Sequence, residues 1–254
     1  MLQPALMDLI ETKNWDAVRD ELRKRHPSDV AELIIALPAE PEAFVFRALS
    51  RDQAADVFSY LPPAHQEELI HSLTNEQVRG VLQAMPPDDR ARLLDEMPAE
   101  VTRRLLGNLS PEDLKNVRWL LGYPEHTAGR YMTPKYVTVD PNMTAREALD
   151  HIRSAGRGME TINVVYIVDD RGKLVEDVRL ASLVLADADT SVTDIADPAL
   201  VALKATEDRE EVAKMFERYD RVALPVTDAE GRMLGIITVD DVLDVAEQEA
   251  TEDI

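Results

Sequence analysis

Apolar residues recur at every twelfth position through the first half of the chain, and another apolar residue stands four places before each. Because residues i and i+4 share one face of a helix, each repeat predicts a short helix with one buried stripe. Most repeat positions are followed by Pro, Ser or Thr, which end one helix or cap the next. The twelve-spaced residues are Leu37, Leu49, Leu61, Leu73, Met85, Met97, Leu109 and Leu121, and their partners are Leu33, Val45, Val57, Leu69, Val81, Leu93, Leu105 and Val117.

Helices this short cannot bury an apolar stripe alone, so neighbouring repeats must stack. We therefore predict an all-α superhelical array over residues 1–122. A compact irregular helical bundle has the same pattern and is the alternative. Four histidines in or just after this region, His26, His65, His71 and His126, have no ligand spacing, so no zinc site is expected.

From Met132 the pattern changes to short apolar strands separated by turns and single helices. Strands are predicted at 137–139, 164–168 and 174–180, with helices at 144–153 and 182–185. The same order follows at 201–203, 208–216, 222–226 and 234–239, before a helix at 240–249. Two βαββα copies in sequence predict a pseudo-twofold pair of small α/β domains.

The charge of the chain favours cationic ligands. It has 28 Lys+Arg and 49 Asp+Glu, a formal net charge of −21, with −7 on residues 1–131 and −14 on residues 132–254. Phosphates would be repelled, which argues against nucleic acid or an anionic membrane surface as partner. No cysteine is present, which excludes disulfides and thiolate sites, and no uncharged stretch approaches the ~18 residues of a membrane helix. We expect this piece to be soluble, without insertion into a membrane.

Acidic residues are densest at the end of the chain, where seven fall within fourteen residues: Asp240, Asp241, Asp244, Glu247, Glu249, Glu252 and Asp253. Like charges at helical spacing destabilise a bare helix, so this arrangement favours bound counter-ions. Carboxylates suit Mg²⁺ or Ca²⁺, and no EF-hand loop is present. A solvated acidic face is the alternative.

The second half resembles a tandem pair of CBS domains, and the whole chain resembles the cytosolic part of the MgtE magnesium channel family. The matching segments are AGRYMTP (128–134), ETINVVYIVD (160–169), EEVAKMFERYD (210–220) and TVDDVLDVAEQEATED (238–253). The resemblance implies a helical N domain (1–122), a linker (123–131), a first CBS domain (132–194) and a second CBS domain (195–254) that begins the connection to a transmembrane region.

The resemblance also implies a function and a set of partners. The chain is expected to be a homodimeric Mg²⁺ sensor that gates a magnesium channel from the cytoplasmic side of the inner membrane. Its partner would be the transmembrane pore domain that follows Ile254 in the family. Mg²⁺ bridging acids of the N domain, the CBS domains and the two subunits would favour a compact, closed state.

The candidate Mg²⁺ ligands come from two groups of acids. Those in segments that match the family are Asp208, Glu210, Asp220, Asp241, Asp244, Glu252 and Asp253. The second group lies on one repeat of the helical array and consists of Asp88, Asp89 and Asp95. These are weaker candidates, because that region lacks a residue-by-residue match to the family.

An adenine-nucleotide-binding CBS module is the alternative function, with ATP as the ligand. Many CBS pairs use a Thr-x-x-Asp to contact phosphate and ribose, and Thr238 and Asp241 supply that pattern. The first copy has Arg179 and Ser182 at the equivalent places. A protein-interaction scaffold is a third hypothesis. Hydrolase, phosphate-loop, metalloprotease and dinucleotide motifs are absent from the sequence, so an enzyme is not expected.

Overall fold

The computed structural model describes residues 4–196 and 199–243. The chain divides into two compact units, Met1–Arg118 and Trp119–Ile254. Among the described residues, no helix is long and apolar enough to cross a bilayer.

The first unit consists of helices of eight to ten residues, as the twelve-residue period predicts. They are α1 (Pro4–Glu11), α2 (Trp15–Leu22), α3 (Pro27–Ile35), α4 (Ala39–Ala48), α5 (Arg51–Ser59), α6 (Pro63–Ser72), α7 (Asn75–Ala84), α8 (Pro87–Glu96), α9 (Ala99–Leu106) and α10 (Pro111–Leu120). The helix α10 ends just beyond the division between the units.

Burial in this unit follows the predicted stripes. All eight residues that precede the repeat positions by four are buried, and five of the eight repeat residues are buried too. The exceptions, Leu49, Leu109 and Leu121, are partly exposed. Alternate helices pack on one another, α2 on α4 on α6 and α3 on α5 on α7, so the stripes meet in a stacked array. The all-α prediction is confirmed.

Local capping explains where these helices begin. Thr74 and Gln77 form a complete capping box before α7. The hydroxyl of Ser50 accepts a hydrogen bond from the Gln53 N–H at the start of α5. Pro87 occupies the first turn of α8, where its missing N–H costs nothing.

The second unit contains two three-stranded sheets with the same topology. In each sheet, the first two strands in chain order pair in parallel, and the second and third pair antiparallel. This confirms the predicted doubled βαββα unit. The elements are α11 (Ala128–Tyr131), β1 (Thr138–Val139), α12 (Ala145–Ala155), β2 (Val164–Val168), β3 (Leu174–Arg179), α13 (Leu180–Leu185), α14 (Val192–Ile195), β4 (Leu203–Lys204), α15 (Arg209–Tyr219), β5 (Ala223–Thr227) and β6 (Met233–Thr238).

The two copies contact each other at their hairpin turns. Gly172 and Gly231 occupy these turns with φ of 78° and 84°, a left-handed conformation that glycine adopts without strain. The Leu174 N–H donates to the Gly231 carbonyl, and the Met233 N–H donates to the Gly172 carbonyl. Each copy thus donates one hydrogen bond to the turn of the other, as a pseudo-twofold relation requires.

The segment predicted as a linker, 123–131, contains α11 and is tied to the second copy. The N–H groups of Ala128 and Gly129 donate to the carbonyls of Glu207 and Ala205 at 2.8 and 2.9 Å. Just beyond it, Thr133 and Ile236 exchange backbone hydrogen bonds.

Candidate functional site

Asp241 lies three residues after the end of β6, in the first helical turn that follows this strand. The Thr238 hydroxyl donates to Asp241 Oδ2 at 2.7 Å, and the Thr238 N–H points to the same oxygen at 3.4 Å. Thr238 is buried and Asp241 is half-buried. Thr238-x-x-Asp241, predicted as a nucleotide contact, therefore also has a local structural role, because a carboxylate here satisfies donors at a helix start.

The space beside Asp241 is small. A cavity of about 10 Å³ lies between Asp241, Arg209 and Tyr131, and its other walls are Val212, Ile237 and Val242. Ligand pockets for organic molecules usually measure ~300–1,000 Å³. This cavity is far smaller than such a pocket.

The acids predicted on α15 are separated by the helix itself. Asp208 is the N-cap and its carboxylate accepts the Glu210 N–H at 2.9 Å. Asp220 is at the other end, with φ of 50° in the left-handed region. Eleven residues of helix span about 16 Å, so Asp220 cannot share an ion with Asp208 or Glu210. All three side chains belong to exposed residues.

The three predicted acids on α8 differ in their position along the helix and in their partners. Asp88 and Asp89 lie in the first turn of α8 and Asp95 lies near its end, about 10 Å further along the axis. Asp89 accepts hydrogen bonds from Arg92 at 2.7 Å and from the Ser59 hydroxyl at 3.3 Å. The positive end of the helix dipole also favours negative charge at Asp88 and Asp89.

Asp88 is buried beside a buried arginine. Arg90 donates to Asp113 at 2.6 Å and to the carbonyls of Leu82 and Met85. Burial lowers the pKa of Arg90, and the charges of Asp113 and Asp88 oppose that shift. Asp88 thus adds to the compensation of a buried cation within the array.

Three other predicted ligands, Asp244, Glu252 and Asp253, lie outside the described residues.

The sequence analysis missed a buried ionic group in the second unit. Asp177 on β3 is 1% exposed, and its Oδ1 lies 3.7 Å from Arg221 Nη1. Tyr166 is its register partner on β2 and is fully buried. Burial, together with the negative charge of Asp177, raises the pKa of Tyr166 far above its usual range, and Arg221 partly opposes the shift. A comparison of the two copies could have revealed this group from the sequence, because the second hairpin has the apolar Ile236 at the position of Asp177.

Comparison with known proteins decides the family. The MgtE intracellular N domain matches residues 25–126, and the CBS domain matches residues 128–189 and 192–247. The magnesium transporter MgtE of Thermus thermophilus is 40% identical over 256 residues. The crystal structure of the cytosolic domain of the Mg²⁺ channel MgtE in complex with ATP is 38% identical and has a TM-score of 0.89, covering 94% of this chain and 98% of that one. The chain belongs to the MgtE family.

The resemblance found in the sequence is thereby confirmed, and so is the order of helical domain and CBS pair. The soluble part of a magnesium transporter has the same TM-score, 0.89, at 28% identity, and the match covers 97% of both chains. The match covers 100% of this MgtE-family chain and 57% of the Thermus protein. The chain therefore spans little more than half the length of that relative.

Proposed function

We propose that this chain is a Mg²⁺-sensing regulatory region of a magnesium channel or transporter, located on the cytoplasmic side of the membrane. The observation that carries the proposal is the match along its full length to the magnesium transporter MgtE of Thermus thermophilus. The match covers 57% of that relative, and the remainder leaves room for a conducting part that this chain would control. Control by such a region would be regulatory and would need no enzymatic step.

Excess negative charge supplies the physical basis for sensing. The first unit carries 14 basic and 21 acidic residues, a charge of −7, and the second carries 14 and 28, a charge of −14. Two carboxylates about 4 Å apart repel by ~1 kcal/mol in water and by ~4 kcal/mol near a protein surface. Mg²⁺ bound between carboxylates replaces this repulsion with attraction and favours a compact state.

The donor chemistry of the described acids fits Mg²⁺. Asp208, Glu210 and Asp220 present exposed carboxylates at the two ends of α15, and Asp241 is half-buried after β6. Mg²⁺ keeps several waters and takes one or two carboxylates, so isolated surface acids can hold it without a dedicated loop. Asp88, Asp89 and Asp95 are the proposed contribution of the helical unit. The remaining proposed ligands are Asp244, Glu252 and Asp253.

The proposed gating is a shift of population. A ligand moves an equilibrium only by its differential affinity for the two states, so several weak sites give a steeper response than one. In this proposal the chain acts as a homodimer, and Mg²⁺ bound to acids of both units and both subunits favours the compact form. The compact form then holds the transmembrane pore domain closed.

Small-angle scattering tests the proposal. Millimolar MgCl₂ should reduce the radius of gyration of the purified chain, and NaCl at equal ionic strength should not. Asp241→Asn with Asp244→Asn should give part of the compaction without Mg²⁺ and weaken the remaining response. Asp150→Asn is the matched control, because Asp150 is an exposed acid outside the proposed set. Equal compaction by NaCl would show that the acids are only a solvated face.

Adenine-nucleotide binding is the second candidate. The 38% identical cytosolic domain was solved in complex with ATP, and Thr238 and Asp241 form the pattern expected of a CBS nucleotide site. Calorimetric titration with ATP tests it. Thr238→Val should abolish binding and leave the Mg²⁺ response intact, while Thr238→Ser, which keeps the hydroxyl that contacts Asp241, should bind. ATP binding that survives Thr238→Val would place the nucleotide elsewhere.

A further inference from the structure

The array brings one histidine and two glutamates together on adjacent helices. Glu42 belongs to α4, and His65 and Glu68 belong to α6, which packs on α4. His65 and Glu68 are three residues apart and therefore share a helix face. One ligand atom from each of the three residues lies within 4.8 Å of the others. The sequence could not reveal this cluster, because Glu42 is 23 residues from His65.

The burial of Glu42 requires an explanation. Its side chain is 3% exposed, and its Oε1 lies 3.2 Å from His65 Nδ1. Among the described residues, His65 is the only one that forms a hydrogen bond or ion pair with the Glu42 carboxylate. A carboxylate removed from water is costly unless a cation compensates it, and a neutral imidazole supplies no charge. The buried carboxylate therefore faces the cluster, and among the described residues no Lys or Arg forms an ion pair with it.

We propose that Glu42, His65 and Glu68 form a binding site for a divalent transition-metal cation of the Zn²⁺ class. Imidazole and carboxylate together suit Zn²⁺ and its first-row neighbours, whereas Mg²⁺ prefers oxygen ligands alone. The site is distinct in chemistry from the acids proposed to sense Mg²⁺, and it does not depend on that proposal.

The geometry needs only a small adjustment to close around a metal. Ligand atoms about 2.0–2.2 Å from a tetrahedral ion lie roughly 3.3–3.6 Å from one another. The Glu42 and His65 ligand atoms lie 3.2 Å apart, just below that range. Glu68 is exposed and can rotate toward them. The bound ion would balance the buried charge of Glu42 and join α4 to α6, with the fourth position open to water.

Another His–Glu pair on α6 provides a matched control. His71 Nε2 lies 3.8 Å from Glu67 Oε1, and both side chains are exposed, at 55% and 40%. This pair has the same residue types, and no third ligand among the described residues completes a metal site with it. A nonspecific affinity of surface histidines for metal would affect both pairs equally.

Calorimetric titration of the full chain with ZnCl₂ in 5 mM MgCl₂ tests the proposal. We expect a site that His65→Gln weakens at least tenfold and His71→Gln leaves unchanged. Zn²⁺ should raise the Tm of the wild type and of His71→Gln, but not of His65→Gln. If Glu42→Gln fails to fold, Glu68→Gln provides the second ligand test and should also weaken binding.

A spectroscopic measurement identifies the ligand directly. Zn²⁺ should shift the imidazole ¹⁵N resonances of His65 and leave those of His71 in place. Equal Zn²⁺ binding by the wild type and His65→Gln would overturn the proposal, as would the absence of Zn²⁺ binding by the folded wild type. Neither result would bear on the response of the Mg²⁺-sensing acids, so the two proposals fail separately.

Discussion

Removal of the positive charge of Arg221 should strongly destabilise the second unit. In Arg221→Met the carboxylate of Asp177, 1% exposed, loses a cation that lies 3.7 Å away. At an effective dielectric constant of about 20, that separation corresponds to an attraction of about 4.5 kcal/mol. Breaking a buried pair by removing one partner typically costs about 3–5 kcal/mol, so the two estimates agree.

Protonation of Asp177 in Arg221→Met limits the loss of stability. Neutralising an ordinary aspartate at pH 7 costs about 4 kcal/mol, because its usual pKa is near 3.9. The variant can therefore neutralise the buried carboxylate by taking up a proton, and this protonation costs less free energy at lower pH. We expect the difference in stability between the wild type and Arg221→Met to shrink as the pH falls from 7 to 5.

Native-state amide exchange measures this change within the second unit alone. The amides of Val165 and Tyr166, on the strand that pairs with Asp177, should exchange about a thousandfold faster in Arg221→Met, since each ~1.4 kcal/mol is a factor of ten. The double variant Asp177→Ile with Arg221→Met copies the apolar residue of the second hairpin, Ile236, and should recover most of the loss.

The controls are the first unit and the double variant. The amides of α5 and α7 lie in the other unit and should exchange at the wild-type rate. A loss below about 1 kcal/mol in Arg221→Met would refute the argument that Asp177 is a buried charge. A double variant less stable than Arg221→Met would show that the pair stabilises the fold beyond what apolar packing can replace.

Two further predictions concern local structure. The pKa of Glu147 is lowered because its carboxylate accepts hydrogen bonds from the N–H and hydroxyl of Thr144, so NMR titration should give a midpoint below the ordinary value. The stability that this hydrogen bonding adds is present above the unfolded-state pKa and is lost as the pH falls through the folded-state pKa. Thr144→Ala should return the titration midpoint of Glu147 toward the ordinary value. An unchanged midpoint would contradict the capping box. Gly235→Ala should lower the thermal midpoint, because its Cβ would lie 2.7 Å from the Thr133 carbonyl oxygen. Gly107→Ala, whose Cβ would meet nothing nearer than 3.5 Å, is the control, and an equal effect of both would refute the steric explanation.

Local patterns were enough to predict the architecture. The period of twelve predicted the helical array because the i, i+4 apolar pair and the following cap are both properties of a few adjacent residues. The eight residues four before each repeat position are buried as expected. The doubling of strand, helix and glycine turn predicted the two CBS copies for the same reason, and the family resemblance followed from continuous segments.

The candidate sites depended on contacts between distant residues. Packing of α4 on α6 placed Glu42 beside His65, and pairing of β2 with β3 placed Asp177 beside Tyr166. No local period encodes such contacts.

The sequence also grouped acids that the structure separates. Asp208 and Asp220 are grouped as candidate ligands by the sequence, yet they occupy opposite ends of α15. The hydrophobic period allows an acid at any exposed position of a helix. The sequence therefore determined the excess of negative charge and the helices that carry it. Only the tertiary structure decided which charges are buried, which cap a helix and which can approach the same ion, because these depend on distances across the packed elements.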